Sequence, residues 1–110
     1  MIRRLFLNEA YHQALKSDMN FTHGAVVVYR GKIIGKGFNS YCNDKDNRSI
    51  HAEVSAINSA LDKIDKCQLC HCELVIIRVT KAGNFGNSFP CINCQKVINN
   101  YNLKKVYYSQ

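Results

Sequence analysis

Two short stretches, His51-Ala-Glu53 and Pro90-Cys91-Ile-Asn-Cys94, constrain this chain more than anything else in it. One imidazole and two thiolates would fill three of the four tetrahedral positions that zinc prefers. A fourth position left open to water separates a catalytic site from a structural one. Any fold must therefore bring residue 51 back to residues 91–94. Ala52, Ala56, Ile57, Ala60, Leu61 and Ile64 recur at helical period, which predicts a helix from 51 to about 65. Glu73-Leu-Val-Ile-Ile-Arg-Val-Thr80 is the most apolar stretch and reads as a central strand. Such a helix spans roughly 22 Å, and a strand over 72–80 roughly 30 Å. The chain can leave the metal, turn, and return beside it just before Pro90.

The local setting of each ligand supports the same chemistry. Pro90 suits the entry to a second helix, from 91 to about 101, with Asn102 as its stop. Cys91 and Cys94 then lie in the first turn, where unpaired N–H groups and the positive dipole end favour thiolates. Glu53 is the candidate general acid and base, placed to take a proton from activated water and pass it on. A lone C-x-x-C reads equally as a structural zinc knuckle or a redox pair, and a lone H-x-E as a helix surface. Both together, each at a helix start, favour a catalytic metal centre.

Composition bounds the setting. A chain of 110 residues makes one domain, 1–110, with ordinary globular values of 46% hydrophobic and 21% charged residues. The N-terminus carries Arg3, Arg4 and Glu9 with no apolar run long enough for a signal or a membrane span, so a reducing cytoplasm is the expected location and no membrane partner is expected. Six cysteines do not imply a disulfide scaffold there. The net charge of +7 suits a phosphorylated or polyanionic partner, or simply a soluble basic surface.

The remaining elements are generic. Ile2, Leu5, Phe6, Ala10 and Ala14 predict a helix over 2–18, with His12 a surface or packing residue. Thr22–Tyr29 is a strand by its β-branched content. Arg30-Gly31-Lys32 is a turn, and 33–39 is the returning strand of a hairpin. Gly35 and Gly37 weaken that strand, which points to close backbone approach or twist beside a pocket. His23 is read as a hydrogen-bonded histidine outside the metal's ligand set. The polar stretch 40–50 is a loop bordering the site. Its Lys45 and Arg48 are candidates for a substrate phosphate or plain solvated charges, while Phe38 and Tyr41 either stack on a base or pack. Cys67-Gln-Leu-Cys70-His71-Cys72 matches a haem-attachment pattern on paper and could hold a second zinc. It lies at the far end of the first motif helix, with Cys42 poorly placed to complete it. Free thiols are the preferred reading. Leu103–Ser109 forms a last strand, parallel to its predecessor through a crossover.

The order helix, hairpin, H-A-E helix, strand, P-C-x-x-C helix, strand resembles the cytidine and deoxycytidylate deaminase superfamily over almost the whole chain. The resemblance implies a three-layer α/β/α fold whose mixed sheet has four strands, a β-hairpin plus parallel strands. It implies one catalytic zinc on His51, Cys91 and Cys94. Gly37-Phe38-Asn39 resembles the family's G-x-N, which implies that Asn39 binds a sugar hydroxyl. It also implies that Ala52, Ser88 and Phe89 form pocket wall. Histidine as first ligand is more similar to the deoxycytidylate, guanine and tRNA-adenosine branches than to the small free-cytidine enzymes. Many members continue into a further strand and helices that close the site, so a homo-oligomer whose neighbouring subunit completes the wall is expected. The expected reaction is hydrolytic deamination of a cytosine nucleoside or nucleotide. A tRNA or single-stranded DNA deaminase is the second reading, with nucleic acid a less favoured partner, and a non-catalytic zinc-stabilised binding module the third. Glu53 argues against the third, since a structural site has no use for it.

Overall fold

The computed structural model describes residues 3–19, 21–41 and 49–110, with Tyr41 and Ser49 described by backbone alone. Helix α1 (Arg4–Ala14) is followed by the strands β1 (Thr22–Tyr29) and β2 (Lys32–Phe38). They form an antiparallel hairpin in which Gly24 faces Phe38. Arg30 and Gly31 both take positive φ, 51° and 77°, the turn geometry that matches the twist of paired strands. Two-residue strands β3 (Ser40–Tyr41) and β4 (Ser49–Ile50) pair into a separate ribbon that delivers the chain to His51.

Helix α2 (Ala52–Leu61) follows, then a short 3-10 helix (Lys66–His71) and strand β5 (Cys72–Val79). Strand β6 (Phe85–Gly86), helix α3 (Ile92–Tyr101) and strand β7 (Lys105–Tyr108) complete the chain. β1 lies between β2 and β5 and is antiparallel to both. The far side of β5 is shared: β7 runs parallel along 73–76, and β6 runs antiparallel at 78–79.

Alternation along the strands sorts the layers. Val26, Val28, Val75 and Ile77 meet Phe6, Ala10 and Ala14 of α1 on one face. Ala25, Val27, Leu74 and Ile76 meet Ala52, Ala56, Ile57 and Ala60 of α2, with Ile98 of α3, on the other. The three-layer α/β/α arrangement is the one implied by the resemblance.

Gly35 and Gly37 do what their positions in β2 suggest. A Cβ on Gly35 would lie 2.4 Å from the carbonyl oxygen of Ala56, and one on Gly37 would lie 2.5 Å from the amide nitrogen of Ala56. The helix that begins at His51 therefore rests directly on the backbone of β2.

The sheet has five strands where the sequence predicts four. The extra one, β6, follows a tight reversal in which Thr80 accepts from Gly83 and Asn84 and donates to Asn84. At two residues it is too short for any periodicity to reveal. α1 is shorter than the predicted 2–18. α2 stops at Leu61 rather than near 65, yet Ile64 still packs against the same core from the following turn. That packing prolongs the apolar period beyond the helix itself.

Candidate active site

His51 and Cys91 occupy equivalent places, each the extended residue that caps a helix. An N-cap leaves its backbone outside the helix while its side chain lies over the first turn. Cys91 Sγ accepts from the Cys94 N–H at 3.4 Å, holding the second thiol one turn further in. Gln95 Nε2 donates to the Pro90 carbonyl at 2.9 Å and fastens the entry to the helix.

His51 Nδ1 lies 3.0 Å from Cys94 Sγ and 3.7 Å from Cys91 Sγ. The three ligand atoms all lie within 4.8 Å of one another. Tetrahedral bonds of about 2.0–2.3 Å to one ion place donors roughly 3.5 Å apart, so the set fits zinc. Cys94 is buried, and burial followed by the nearby Glu53 charge pushes its thiol well above the usual range. This qualifies the expectation that the helix start alone ionises both thiols: at Cys94 desolvation wins. A divalent cation supplies what a thiolate there requires.

Glu53, in the first turn of α2, is only 5% exposed. It stands outside the ligand group yet lines, with His51, Ala52 and Cys91, a pocket of about 300 Å³. Asn39, Ser88 and Phe89 line the same pocket, so it gathers these three with His51, Ala52, Glu53 and Cys91.

Several of those residues also have structural work. Asn39 Oδ1 accepts from the His23 N–H at 2.8 Å, and its Nδ2 donates to the Phe21 carbonyl. One amide proton and one lone pair remain for a ligand. Ser88 Oγ donates to the Ile76 carbonyl at 2.9 Å and accepts from the Ser109 N–H at 2.7 Å. The wall before Pro90 is thus tied to the sheet. Phe89 meets Tyr108 edge-on, with centroids 4.9 Å apart.

Met19, Phe21 and His23 also line the pocket and were not singled out as site residues. His23 Nδ1 lies 3.3 Å from the Phe21 carbonyl, which can only accept. That contact places the ring proton on Nδ1 and leaves Nε2 as an acceptor. Burial lowers the His23 pKa and keeps the ring neutral. The available signal was alternation: His23 shares a strand face with Ala25 and Val27, the face that α2 covers.

Cys67 and Cys70 lie beside Asn100, Tyr101 and Asn102 at the end of α3 opposite Cys91. Cys70 Sγ contacts the Cys67 carbonyl, while Cys72 is buried against the Gln68 carbonyl. Among the described residues, His51, Cys91 and Cys94 form the one group gathered as metal ligands. Cys42, Lys45 and Arg48 lie outside the described residues. Among the described residues no helix is long and apolar enough to cross a membrane.

Fold and ligand set together are of the kind found in zinc-dependent α/β/α deaminases. The profile of the cytidine and deoxycytidylate deaminase zinc-binding region matches residues 2–110, and the chain belongs to that family. Its fold is similar to that of guanine deaminase from Bacillus subtilis, with 28% identity and a TM-score of 0.69 over 98% of this chain and 64% of that one. Cytidine deaminase from Burkholderia pseudomallei matches with 24% identity and a TM-score of 0.69, covering 89% of this chain and 75% of that one. The dCMP deaminase of cyanophage S-TIM5 matches with 23% identity and a TM-score of 0.65, covering 98% and 84%. His51, Cys91 and Cys94 are the ligand set for one catalytic zinc ion, as in the family.

Proposed function

We propose that this chain catalyses hydrolytic deamination of a cytosine nucleoside or nucleotide, giving the uracil product and ammonia. Glu53 carries the proposal: it is a buried carboxylate two residues from a ligand, inside the pocket and outside the ligand group. Bound zinc supplies the Lewis acid that acidifies water. Glu53 would take one proton from that water and pass it to the pyrimidine ring nitrogen as the hydroxide adds to the amine-bearing carbon. It would then take the proton of the new hydroxyl and pass it to the amine, which leaves as ammonia as the carbonyl forms. Asn39 offers its spare N–H and lone pair to a sugar hydroxyl. Ala52, Ser88 and Phe89 shape the wall around the base. A volume of about 300 Å³ lies at the small end of ligand pockets and suits one base with its sugar. A second copy of this chain remains the expected protein partner.

A polynucleotide substrate is the second reading, favoured by Phe21 and Phe89, which are 61% and 55% exposed at the pocket. Exposed aromatic side chains there offer stacking surfaces to neighbouring bases. The test is ammonia release by zinc-loaded protein from cytidine, deoxycytidine, their monophosphates, adenosine, guanine and a short oligonucleotide, beside Glu53→Ala. Glu53-dependent turnover of a free cytosine compound is expected. Turnover of the oligonucleotide alone moves the assignment to the second reading, and turnover of guanine or adenosine overturns the cytosine reading.

A further inference from the structure

Arg78 has no part in the reaction as derived, yet its placement is unusual. It is the cross-strand partner of His23 in the β1–β5 pairing and of Gly86 in the β5–β6 pairing. In the alternation of β5 it follows Leu74 and Ile76 on the face that α2 and α3 cover, the face of the pocket. Its Nε is buried with no hydrogen-bond partner. A Cβ on Gly86 would lie 3.3 Å from Arg78 Cδ and 3.4 Å from Nε, so the side chain passes close over that glycine. The guanidinium carbon ends 4.7 Å from the ring centroid of Phe21, which lines the pocket.

A half-buried guanidinium is normally held by a carboxylate, because desolvating an unpaired charge is costly. Among the described residues, the carboxylate ion pairs are those of Glu9 with Lys36 and His12, and none involves Arg78. The Phe21 ring compensates part of that charge through its π face. A planar guanidinium stacked near an aromatic ring, with no carboxylate partner among the described residues, suits bidentate recognition of a phosphate.

We propose that Arg78 is the anion anchor of this pocket and that the substrate carries a phosphate ester, which the guanidinium holds beside Phe21 and His23. The proposal rests on the cytosine reading only for the identity of the base. The phosphate could belong to a free nucleoside monophosphate or to a nucleic-acid backbone.

The test compares Arg78→Met, which keeps the aliphatic stem, and Arg78→Lys, which keeps the charge but not the fork, with the wild type, all zinc-loaded. Calorimetry measures binding of deoxycytidine, deoxycytidine monophosphate and a short single strand, and thermal melts confirm that each variant folds. The expected result is that the wild type prefers the monophosphate to the nucleoside, and that Arg78→Met shrinks this preference about tenfold or more. Arg78→Lys should fall in between, and the ratio of the two kcat/KM values should follow the binding. A larger loss on the single strand than on the monophosphate assigns the phosphate to a polymer. Arg78-dependent binding of other nucleoside monophosphates without cytosine turnover keeps the anchor and overturns the base assignment. Equal weakening of nucleoside and monophosphate, or no preference in the wild type, overturns the proposal and leaves Arg78 as a support for Phe21.

Discussion

Gly37→Ala tests whether the contact between α2 and the sheet sets the geometry of the metal centre. A Cβ there would lie 2.5 Å from the Ala56 amide nitrogen, 2.7 Å from Ser55 Cβ and 2.8 Å from the Ala52 carbonyl oxygen. Ordinary contact begins at 3.4 Å, so the first turns of α2 must lift by about 0.9 Å. Ala52 lies between His51 and Glu53, so the displacement reaches a ligand and the proposed proton carrier together. Sites of this kind need their groups within about 0.5 Å of the productive geometry, and a misplacement of about 1 Å can cost about a hundredfold in rate. We expect kcat/KM to fall by about that factor, zinc affinity to drop, and stability to fall by about 1–3 kcal/mol from overpacking. Gly83→Ala is the control. Its φ of 85° strains a side chain, but no heavy atom lies within 4 Å of the new Cβ. It should cost about 1–2 kcal/mol with zinc affinity intact. The assays are competition with a chromogenic chelator, urea unfolding and ammonia release. If Gly37→Ala holds zinc as tightly as Gly83→Ala at equal loss of stability, the contact does not set the site and the reasoning fails.

Three further outcomes follow from the site. Glu53→Gln should retain zinc, measured by metal analysis, and lose about 10²–10⁴-fold in kcat; loss of zinc instead would mean that Glu53 is itself a ligand. Ser109→Ala removes the hydroxyl that accepts the Arg78 N–H at 3.0 Å and donates to the Gly86 carbonyl, and should cost about 1–3 kcal/mol in urea unfolding. His23 is held below the usual histidine range by burial, so the unfolded chain, titrating near pH 6.5, binds the proton more readily. That contribution to stability is whole above about pH 6.5 and is lost as pH falls toward the folded pKa. His23→Gln should flatten this part of the stability–pH profile, and an unchanged slope would place the ring in a wetter setting.

The parts of this site legible in the sequence are those whose chemistry dictates a residue type. Metal ligation requires His51, Cys91 and Cys94, and close helix packing requires Gly35 and Gly37. The strands Thr22–Tyr29 and Cys72–Val79 were legible because burial on both faces leaves a long β-branched run. Most of what stayed hidden depends on pairing between distant segments. The capping box that starts the 3-10 helix, Asp65 with Gln68, is local but ambiguous, since Asp and Gln three apart occur in many loops. Asn39 could be matched to a sugar-binding pattern, but its clasp on the backbone of Phe21 and His23 requires the end of β2 to lie beside the start of β1. Arg78 is the sharpest case. As a charge in an apolar strand it reads as the residue turned to solvent, and alternation alone says only that it shares a face with Leu74 and Ile76. The register that sets His23 opposite Arg78, and the two-residue strand that brings Gly86 against its stem, convert that charge into a neighbour of the pocket. Strand register is fixed by the whole sheet, so specificity carried by such cross-strand pairs is read from the fold, while the reaction is read from the motifs.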